Sequence, residues 1–339
     1  MRRCTLPFLF FLANIAFGQQ SALDPAGPQA GRIRSLESLL FGISVVIFVG
    51  VIGTLAVALF RRRRGIQQEP LESTHRPSAQ TERKLLVVVS SLSAVSLLIL
   101  FALIVVSVVT GREISIKSLP RDSLVVEVTG NQWWWSVRYL DDNTQRIIVT
   151  ANEIHIPTGR PVVIKGTSHD VIHSFWVPNL HGKRDLIPSR VNTEWIQADR
   201  PGRFRGQCAE FCGLQHAHMA FWVIAEPPAQ FEAWRRQQLQ PAAEPSDPVR
   251  LRGQQVFLNN ACVLCHTIQG TTAAGQNGPD LTHFGSRQTI AAGTLPNTIG
   301  NLGGWITDPQ TVKPGNHMPQ VPLAPGDEQP LLAYLEGLK

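Results

Sequence analysis

The sequence predicts a multi-domain membrane protein made of a two-helix transmembrane hairpin, an all-β sandwich and a small all-α domain. Two long apolar runs lie in the first third of the 339-residue chain, short strand-like runs separated by Gly, Pro, Asn and Asp follow, and the last part contains a compact cysteine and histidine motif. Membrane spans, half-buried strands and small helical domains differ in hydrophobic pattern. The changes of pattern along this chain therefore divide it into three modules.

Residues 1–18 are predicted to be a signal peptide. Arg2 and Arg3 precede the short apolar run LPFLFFLANIAFG, and cleavage is expected near Gly18. An uncleaved membrane anchor is the alternative, but the apolar run is short for a span.

Residues 36–60 and 85–109 are predicted to be transmembrane helices, since each run is long enough to cross about 30 Å of hydrocarbon. The connection between them begins with four arginines, Arg61 to Arg64. Positively charged loops remain on the cytoplasmic side of a membrane. We therefore expect a multi-pass protein of the bacterial inner membrane, in contact with lipid, with both later modules on the outer, periplasmic side.

The net charge of +6 belongs to the membrane end of the chain, because the basic excess lies before residue 120. A nucleic-acid-binding protein concentrates its basic residues on a folded domain. The charge distribution therefore excludes a nucleic-acid partner and is explained by membrane topology.

Residues 120–226 contain alternating or apolar runs such as SLVVEVTG, PVVIKGTS and MAFWVIAE, which predict a Greek-key β-sandwich. Residues 227–247 are rich in proline and have a short helical middle, so they are predicted to be a linker. Residues 248–339 have the length of a small helical domain.

The loop CAEFCGLQHAHM places Cys208, Cys212, His216 and Met219 at spacings of four, four and three residues. Thiolate, imidazole and thioether ligands suit copper. On this spacing alone zinc is an equal candidate, since cysteine and histidine also form structural zinc sites. The methionine, together with His173 in an upstream strand-like stretch, favours copper.

The motif CVLCH, with Cys262, Cys265 and His266, is the signature of covalent haem c attachment, although zinc knuckles and redox dithiols also begin with C-x-x-C. Met318 is the expected ligand opposite His266. A methionine there raises the haem potential into the range of an electron carrier and leaves no open position for oxygen. His283 and His317 are less favoured alternatives.

These motifs carry a resemblance to a family. GNQWWWSVRYLD, DVIHSFWVPNL, KRDLIPSRVNTEW and the cysteine loop resemble the copper A domain of cytochrome c oxidase subunit II, part of a haem-copper terminal oxidase. The C-terminal module resembles the cytochrome c domain that is fused to subunit II in some bacterial oxidases. The resemblance implies a cupredoxin-like fold for residues 120–226 and a cytochrome c fold for residues 248–339.

The resemblance also implies a binuclear copper A centre bridged by two cysteine sulfurs. Its implied ligands are His173, Cys208, the backbone carbonyl of Glu210, Cys212, His216 and Met219. His218 is the rival of His216 within the same loop, and the spacing typical of the family selects His216.

Three further roles follow from the resemblance. Trp133 is the first aromatic residue after the glutamine of its motif. It is expected on the exposed surface above the copper centre, as the point where electrons enter. The alternative is that Trp133 simply packs within its strand. Glu210 and Asp185 match positions near a magnesium or manganese ion at the interface with subunit I. Glu82 is the nearest candidate for a proton-uptake glutamate, because the Trp-Thr stretch of many members is absent.

The predicted function is that of the electron-input subunit of a bacterial cytochrome c oxidase, an oxidoreductase and translocase of the respiratory chain. Expected partners are subunit I, where oxygen is reduced, other oxidase subunits, an external cytochrome c or other donor, and a copper-loading chaperone. The alternatives are a copper A and haem c subunit of a nitric oxide reductase, or a membrane-tethered copper chaperone. A quinol-oxidase subunit II fits poorly, because it lacks both cofactor motifs.

Overall fold

The computed structural model describes residues 20–65, 78–115 and 123–339, without the side chains of residues 62–65. The predicted signal peptide, residues 1–18, lies outside the described residues. Within the described part, three units follow one another along the chain: two long helices, a β-sandwich and a helical module.

Two long helices contain the predicted membrane spans. They are α1 (Pro28–Gly65) and α2 (Ala79–Glu113). Both are long and apolar enough to cross a membrane, and their large apolar side chains are exposed, which is unfavourable in water. Each helix extends beyond the predicted span because its polar flanks also favour helix. The Ser78 hydroxyl caps α2 by accepting the Thr81 amide at 3.3 Å, and Glu82 lies in the first turn.

The sandwich contains ten strands: β1 (Leu124–Asn131), β2 (Trp134–Tyr139), β3 (Ile148–Ala151), β4 (Glu153–Pro157), β5 (Val162–Ser168), β6 (His173–Trp176), β7 (Arg184–Leu186), β8 (Asn192–Ile196), β9 (Gly202–Cys208) and β10 (Ala220–Glu226). One sheet has the order β3-β2-β1-β5-β8 and the other β4-β10-β9-β6-β7. The predicted all-β, cupredoxin-like sandwich is confirmed.

The core lies between the two sheets, because inward residues alternate with outward ones along β1 and β5. Trp135 is fully buried there and packs edge-on against Phe221, with ring centroids 5.0 Å apart. Trp135 therefore belongs to the core of the sandwich. An aromatic side chain of this size contributes a large buried area to the sandwich.

Glu194 is a buried carboxyl at the end of the sandwich that meets the helices. It is 3% exposed, and neither carboxylate oxygen has a hydrogen-bond partner among the described residues. The His181 ring lies beside it, with Nδ1 4.0 Å from Oε2. Burial raises the pKa of Glu194 to about 8, and the positive charge of Arg184 opposes this.

The predicted linker is largely ordered. Helix α3 (Pro228–Gln238) packs on the sandwich, where the Trp234 ring stacks on His155 with centroids 4.2 Å apart. Leu239 packs against the sandwich core, and three residues later the Ala242 amide donates to the Gln269 carbonyl of the helical module at 3.0 Å. The connection between the two modules is therefore much shorter than the predicted linker.

The C-terminal module is built from short helices and one small hairpin. They are α4 (Pro248–Asn259), β11 (Thr289–Ile290), β12 (Leu295–Pro296), α5 (Ile299–Thr307), α6 (Pro309–Val312) and α7 (Glu328–Glu336). α4 crosses α7, where Phe257 and Tyr334 pack with ring centroids 6.2 Å apart. The predicted small helical domain is confirmed.

Candidate functional site

The first site lies where three strands of one sheet meet a loop at the end of the sandwich. His173 begins β6, Cys208 ends β9, and the loop 209–219 leads into β10. The Cys208 amide donates to the Met219 carbonyl at 2.9 Å, which closes the loop and brings its two ends together. Gly130 is required beside it, because a Cβ there would lie 2.6 Å from the His173 ring. The fold thus gathers residues that are distant in sequence.

All six predicted copper-site residues lie in one cluster. The Sγ atoms of Cys208 and Cys212 are 3.8 Å apart, and Met219 Sδ is 3.8 Å from Cys212 Sγ. The Glu210 carbonyl lies 3.1 Å from Cys208 Sγ. Each histidine contacts a different sulfur: Nδ1 of His173 is 3.8 Å from Cys208 Sγ, and Nδ1 of His216 is 3.6 Å from Cys212 Sγ.

The His173 ring is oriented by Asp170, which sequence reasoning missed. Its Oδ1 lies 2.8 Å from His173 Nε2, and its Oδ2 accepts the Gln132 amide at 2.6 Å. This contact leaves Nδ1 directed at the sulfurs. In metal sites a carboxylate commonly binds the second nitrogen of a metal-binding imidazole and orients the ring in this way. Burial opposes a charged ring, but hydrogen bonds to Cys208 and Asp170 raise the pKa of His173.

The thiols of Cys208 and Cys212 share a hydrogen bond, and this contact moves their pKa values in opposite directions. The contact with Cys212 lowers the pKa of Cys208, whereas the same contact, together with burial, raises the pKa of Cys212. One thiolate therefore forms easily and the second proton is held tightly. A bound cation must displace that proton before both sulfurs can bridge.

The donor set fits a binuclear copper site. Metal to sulfur bonds are about 2.3 Å long, so two sulfurs 3.8 Å apart could both bind the same metal ion. His173, Cys208 and Cys212 offer donor atoms that all lie within 4.8 Å of one another. Met219 is fully buried, with its thioether directed at the cluster. A buried thioether beside two thiolates suits copper better than zinc.

The choice between the two loop histidines gives a direct test. Replacing His216 by alanine removes the ring nitrogen that lies 3.6 Å from Cys212 Sγ and should abolish most of the copper absorption. His218→Ala should leave it nearly unchanged, because the His218 ring pairs with Gln215 Oε1 at 2.8 Å and lies away from the sulfurs. Optical and paramagnetic resonance spectra of both variants measure this, and the opposite result would assign His218 as the ligand.

The second site is a cavity of about 790 Å³ that the C-terminal module forms together with one end of the sandwich. Cys262, Cys265, His266 and Met318 all line it. Its size is that of a cofactor pocket, and the lining is mainly apolar. His317 also lines the cavity, whereas His283 is buried outside its lining. The cavity therefore fits a haem attached at the two cysteines.

The His266 ring is held in one tautomer. Its Nδ1 donates to the Pro279 carbonyl at 2.7 Å, which leaves Nε2 free for a metal. Burial lowers the pKa of His266, so the ring is neutral. Gly278 lies against this ring, since a Cβ there would be 2.7 Å from His266 Cε1.

Trp133 lies between the two sites, and the expectation that it is exposed is wrong. It is 7% exposed, because the C-terminal module covers it. Its Nε1 donates to the Cys212 carbonyl at 2.9 Å, and its ring also lines the haem cavity. The His317 ring lies 5.9 Å from it, centroid to centroid. Sequence reasoning placed the residue above the copper loop but did not foresee the second module over it.

Asp185 and Glu210 are close together, but an ammonium group lies between them. Lys183 Nζ is 2.9 Å from Asp185 Oδ1 and 3.3 Å from Glu210 Oε2. The hydrogen bond from Lys183 lowers the pKa of Asp185. A divalent ion bound by both carboxylates would have to displace Lys183.

Two family models match the chain. Residues 140–226 match cytochrome c oxidase subunit II, periplasmic domain, and residues 251–339 match cytochrome c. These matches imply copper A in the first module and haem c in the second.

Several known proteins are similar to this chain. Cytochrome c oxidase subunit 2 of Alkalihalophilus pseudofirmus is 36% identical, covering 98% of this chain and 96% of that protein. The Bacillus subtilis subunit 2 is 29% identical, covering 94% and 92%. The periplasmic domain of cytochrome oxidase subunit II of Bradyrhizobium japonicum is 30% identical, covers 35% of this chain and 96% of that one, and has a TM-score of 0.33.

The first of these relatives spans the helices and both modules. Together with two apolar helices and a match to a periplasmic domain, it indicates a membrane-anchored protein with a periplasmic part. The chain therefore belongs to the cytochrome c oxidase subunit II family, as a subunit of a haem-copper terminal oxidase with a fused cytochrome c domain.

Proposed function

We propose that this chain is the electron-input subunit of a bacterial cytochrome c oxidase, and that it relays electrons from a haem c, held at Cys262, Cys265, His266 and Met318, to a binuclear copper A centre. The acceptor is the catalytic subunit I, where oxygen is reduced to water. An external cytochrome c or another small redox donor supplies the electrons. Oxygen chemistry and most proton translocation belong to subunit I.

The observation that carries this proposal is the position of Trp133. Its ring lines the haem cavity, and its indole nitrogen donates to the carbonyl of Cys212, a proposed copper ligand, at 2.9 Å. One aromatic side chain thus contacts both sites. Trp133 is proposed as the point where electrons enter the copper domain, and the donor to it is the module that covers it.

When bound, the haem and the copper pair supply reversible one-electron chemistry. The protein keeps both sites in a fixed shape. His173 contacts one sulfur and His216 the other, and Asp170 fixes the His173 ring. Trp133 covers the loop and keeps water away from Cys212. A preorganised, dry site changes little between oxidation states, which favours fast electron transfer.

The proposed topology places the connection between α1 and α2 in the cytoplasm, since its arginines mark the cytoplasmic side. Both metal modules are then outside, where haem attachment and copper loading take place. Because Cys208 and Cys212 have sulfurs 3.8 Å apart, oxidation during assembly would compete with copper loading. A thiol reductant and a copper chaperone are therefore proposed assembly partners.

A magnesium or manganese ion at the interface with subunit I is a further part of the proposal. Glu210 supplies its side-chain carboxylate there, while its backbone carbonyl faces the copper cluster. Asp185 would be the second ligand from this chain.

The relay predicts an internal electron transfer. After flash reduction of the haem in the full chain, the copper pair should be reduced at a rate that does not change with protein concentration, because donor and acceptor belong to one molecule. The rate should depend only weakly on ionic strength, since no diffusional encounter needs steering. Transient absorption at several concentrations and salt levels is the measurement.

The control for this experiment is the chain shortened by deletion of residues 248–339, in which reduction of the copper pair should depend on an added donor. A rate that scales with concentration in the full chain, or that persists after the deletion, would contradict the relay. Copper content separates the relay from the chaperone alternative: about two tightly held ions per chain indicate a relay, and one exchangeable ion indicates a chaperone.

A further inference from the structure

The cytochrome module rests on the copper domain through a defined interface, which we call the docking face. It consists of residues 287–294 and 313–317 of the cytochrome module. The Ala220 amide donates to the Ala292 carbonyl at 3.0 Å, and the Gln288 amide donates to Glu153 Oε1 at 2.8 Å. Gln215, in the copper loop, donates its side-chain amide to the Pro314 carbonyl at 2.7 Å.

Lys313 lies at the centre of the docking face and is 2% exposed. Its ammonium donates to the carbonyls of Trp133 at 2.9 Å, His218 at 2.9 Å and Ala291 at 3.2 Å. An ammonium has three N–H donors, and here each has an acceptor. Burying a charge is costly unless its hydrogen bonds are satisfied, so the three acceptors together offset the cost of burying this ammonium.

Two of those acceptors belong to the copper domain and one to the cytochrome module. Trp133 and His218 flank the copper cluster, one before β2 and the other at the end of the cysteine loop. Lys313 therefore joins three separate segments around one point. If the modules moved apart, its ammonium would lose two of its three partners.

We infer that Lys313 is a positioning residue that closes the cytochrome module over the copper loop, so that Trp133 receives electrons from this chain's own haem and is closed to a separate donor protein. This inference rests on the proposed relay. It adds that Lys313 sets the position of the cytochrome module over the copper loop, and that direct electron transfer from a separate donor protein to Trp133 is blocked. An external donor then has to deliver its electrons to the cytochrome module.

The packing around Trp133 supports this closure. The indole is 7% exposed, with His317 beside it and Lys313 on its backbone carbonyl. A Cβ on Gly315 would lie 2.8 Å from Leu214 Cδ1, so the docking face also meets the copper loop at its tip. No surface of protein size remains at Trp133 while the docking face is closed.

The test uses the full chain, loaded with haem and copper, and the variant Lys313→Met, which keeps the length of the side chain but removes its charge and donors. Lys339→Met is the matched control, because Lys339 is exposed at the end of the cytochrome module. Haem and copper spectra first establish that each variant is assembled. Hydrogen exchange is then followed at the Ala220 and Gln288 amides, which donate across the docking face.

In Lys313→Met both amides should exchange severalfold faster, and internal copper reduction should slow severalfold. A new phase of copper reduction should appear that rises with the concentration of added reduced cytochrome c. Lys339→Met should behave like the unaltered chain. If Lys313→Met fails to assemble, Lys313→Gln, which has a shorter neutral side chain, carries the same expectation.

Gly293→Val probes closure while Lys313 is intact. Gly293 has φ +74°, and a Cβ there would lie 3.0 Å from Ala220 Cβ, so a larger side chain should wedge the docking face open and expose Trp133 to the added donor. Unchanged exchange at both amides in assembled Lys313→Met would overturn the role of Lys313. Faster exchange in Lys313→Met, combined with no internal copper reduction in the unaltered chain, would support the docking role and reject the relay instead.

Discussion

Replacing Cys212 by serine is expected to abolish the paired copper centre. Cys212 Sγ lies 3.8 Å from Cys208 Sγ, 3.6 Å from His216 Nδ1 and 3.8 Å from Met219 Sδ, so it is the atom that most of the other donors contact. A serine hydroxyl is a hard, weakly acidic donor and cannot bridge copper as a thiolate does. The variant should lose the mixed-valence spectrum, and Cys208→Ser should do the same.

Metal analysis and paramagnetic resonance of the full chain measure this loss, with the haem absorption as an internal standard. Cys262→Ser is the matched control, because it alters the haem attachment and leaves the sulfur cluster intact, and its copper is counted per mole of protein. A purified chain that held one spectroscopically silent zinc ion at Cys208 and Cys212 would contradict the copper assignment. So would a Cys212→Ser variant with an unaltered copper signal.

The second large effect is that buried Glu194 should make the folded protein less stable as the pH rises. An unfolded glutamate loses its proton near its ordinary pKa of 4.5, whereas burial keeps the folded one protonated up to about 8. Between these values the folded state binds more protons, so the contribution of Glu194 to stability falls as the pH rises. By pH 7 the cost is on the order of 3 kcal/mol, which Glu194→Gln should remove.

His181 acts in the opposite direction. Burial lowers its pKa to about 4, so its contribution to stability is lost as the pH falls below its ordinary pKa of 6.5. The comparison should therefore be made between pH 7 and 8, where folded His181 is neutral and the unfolded histidine is mostly neutral as well. The fall in stability with rising pH should be shallower in Glu194→Gln, while Glu244→Gln, an exposed control, should follow the unaltered chain. Identical profiles for all three proteins would contradict the assignment.

The copper loop was predictable from sequence because its ligands are local. Cys208, Cys212, His216 and Met219 lie within twelve residues, so their spacing alone limits how far apart the fold can hold them. His173 is distant in sequence and was assigned through the family resemblance. Asp170 was missed although it lies only three residues from His173, since a single acid in a loop has no pattern that separates it from a solvated one.

The contacts between modules could not be predicted in the same way. Lys313 is 180 positions from Trp133 along the chain, and its burial depends on how two separately folded units pack. Hydrophobic periodicity predicts which face of a helix or strand is buried within its own domain. It carries no information about how the copper domain and the cytochrome module pack against each other. For the same reason Trp133 was expected at the surface, where it would lie if the copper domain stood alone.

The ordered connection has a consequence for the kinetics. Leu239 packs on the sandwich and the Ala242 amide is bonded to the cytochrome module, so only Gln240 and Pro241 separate the two anchor points. A flexible tether would give a distribution of donor to acceptor distances and a corresponding spread of rates. A hinge of two residues between anchored ends gives nearly one distance. Electron delivery within this chain is then a homogeneous process, described by a single exponential, and its speed is fixed when the protein folds.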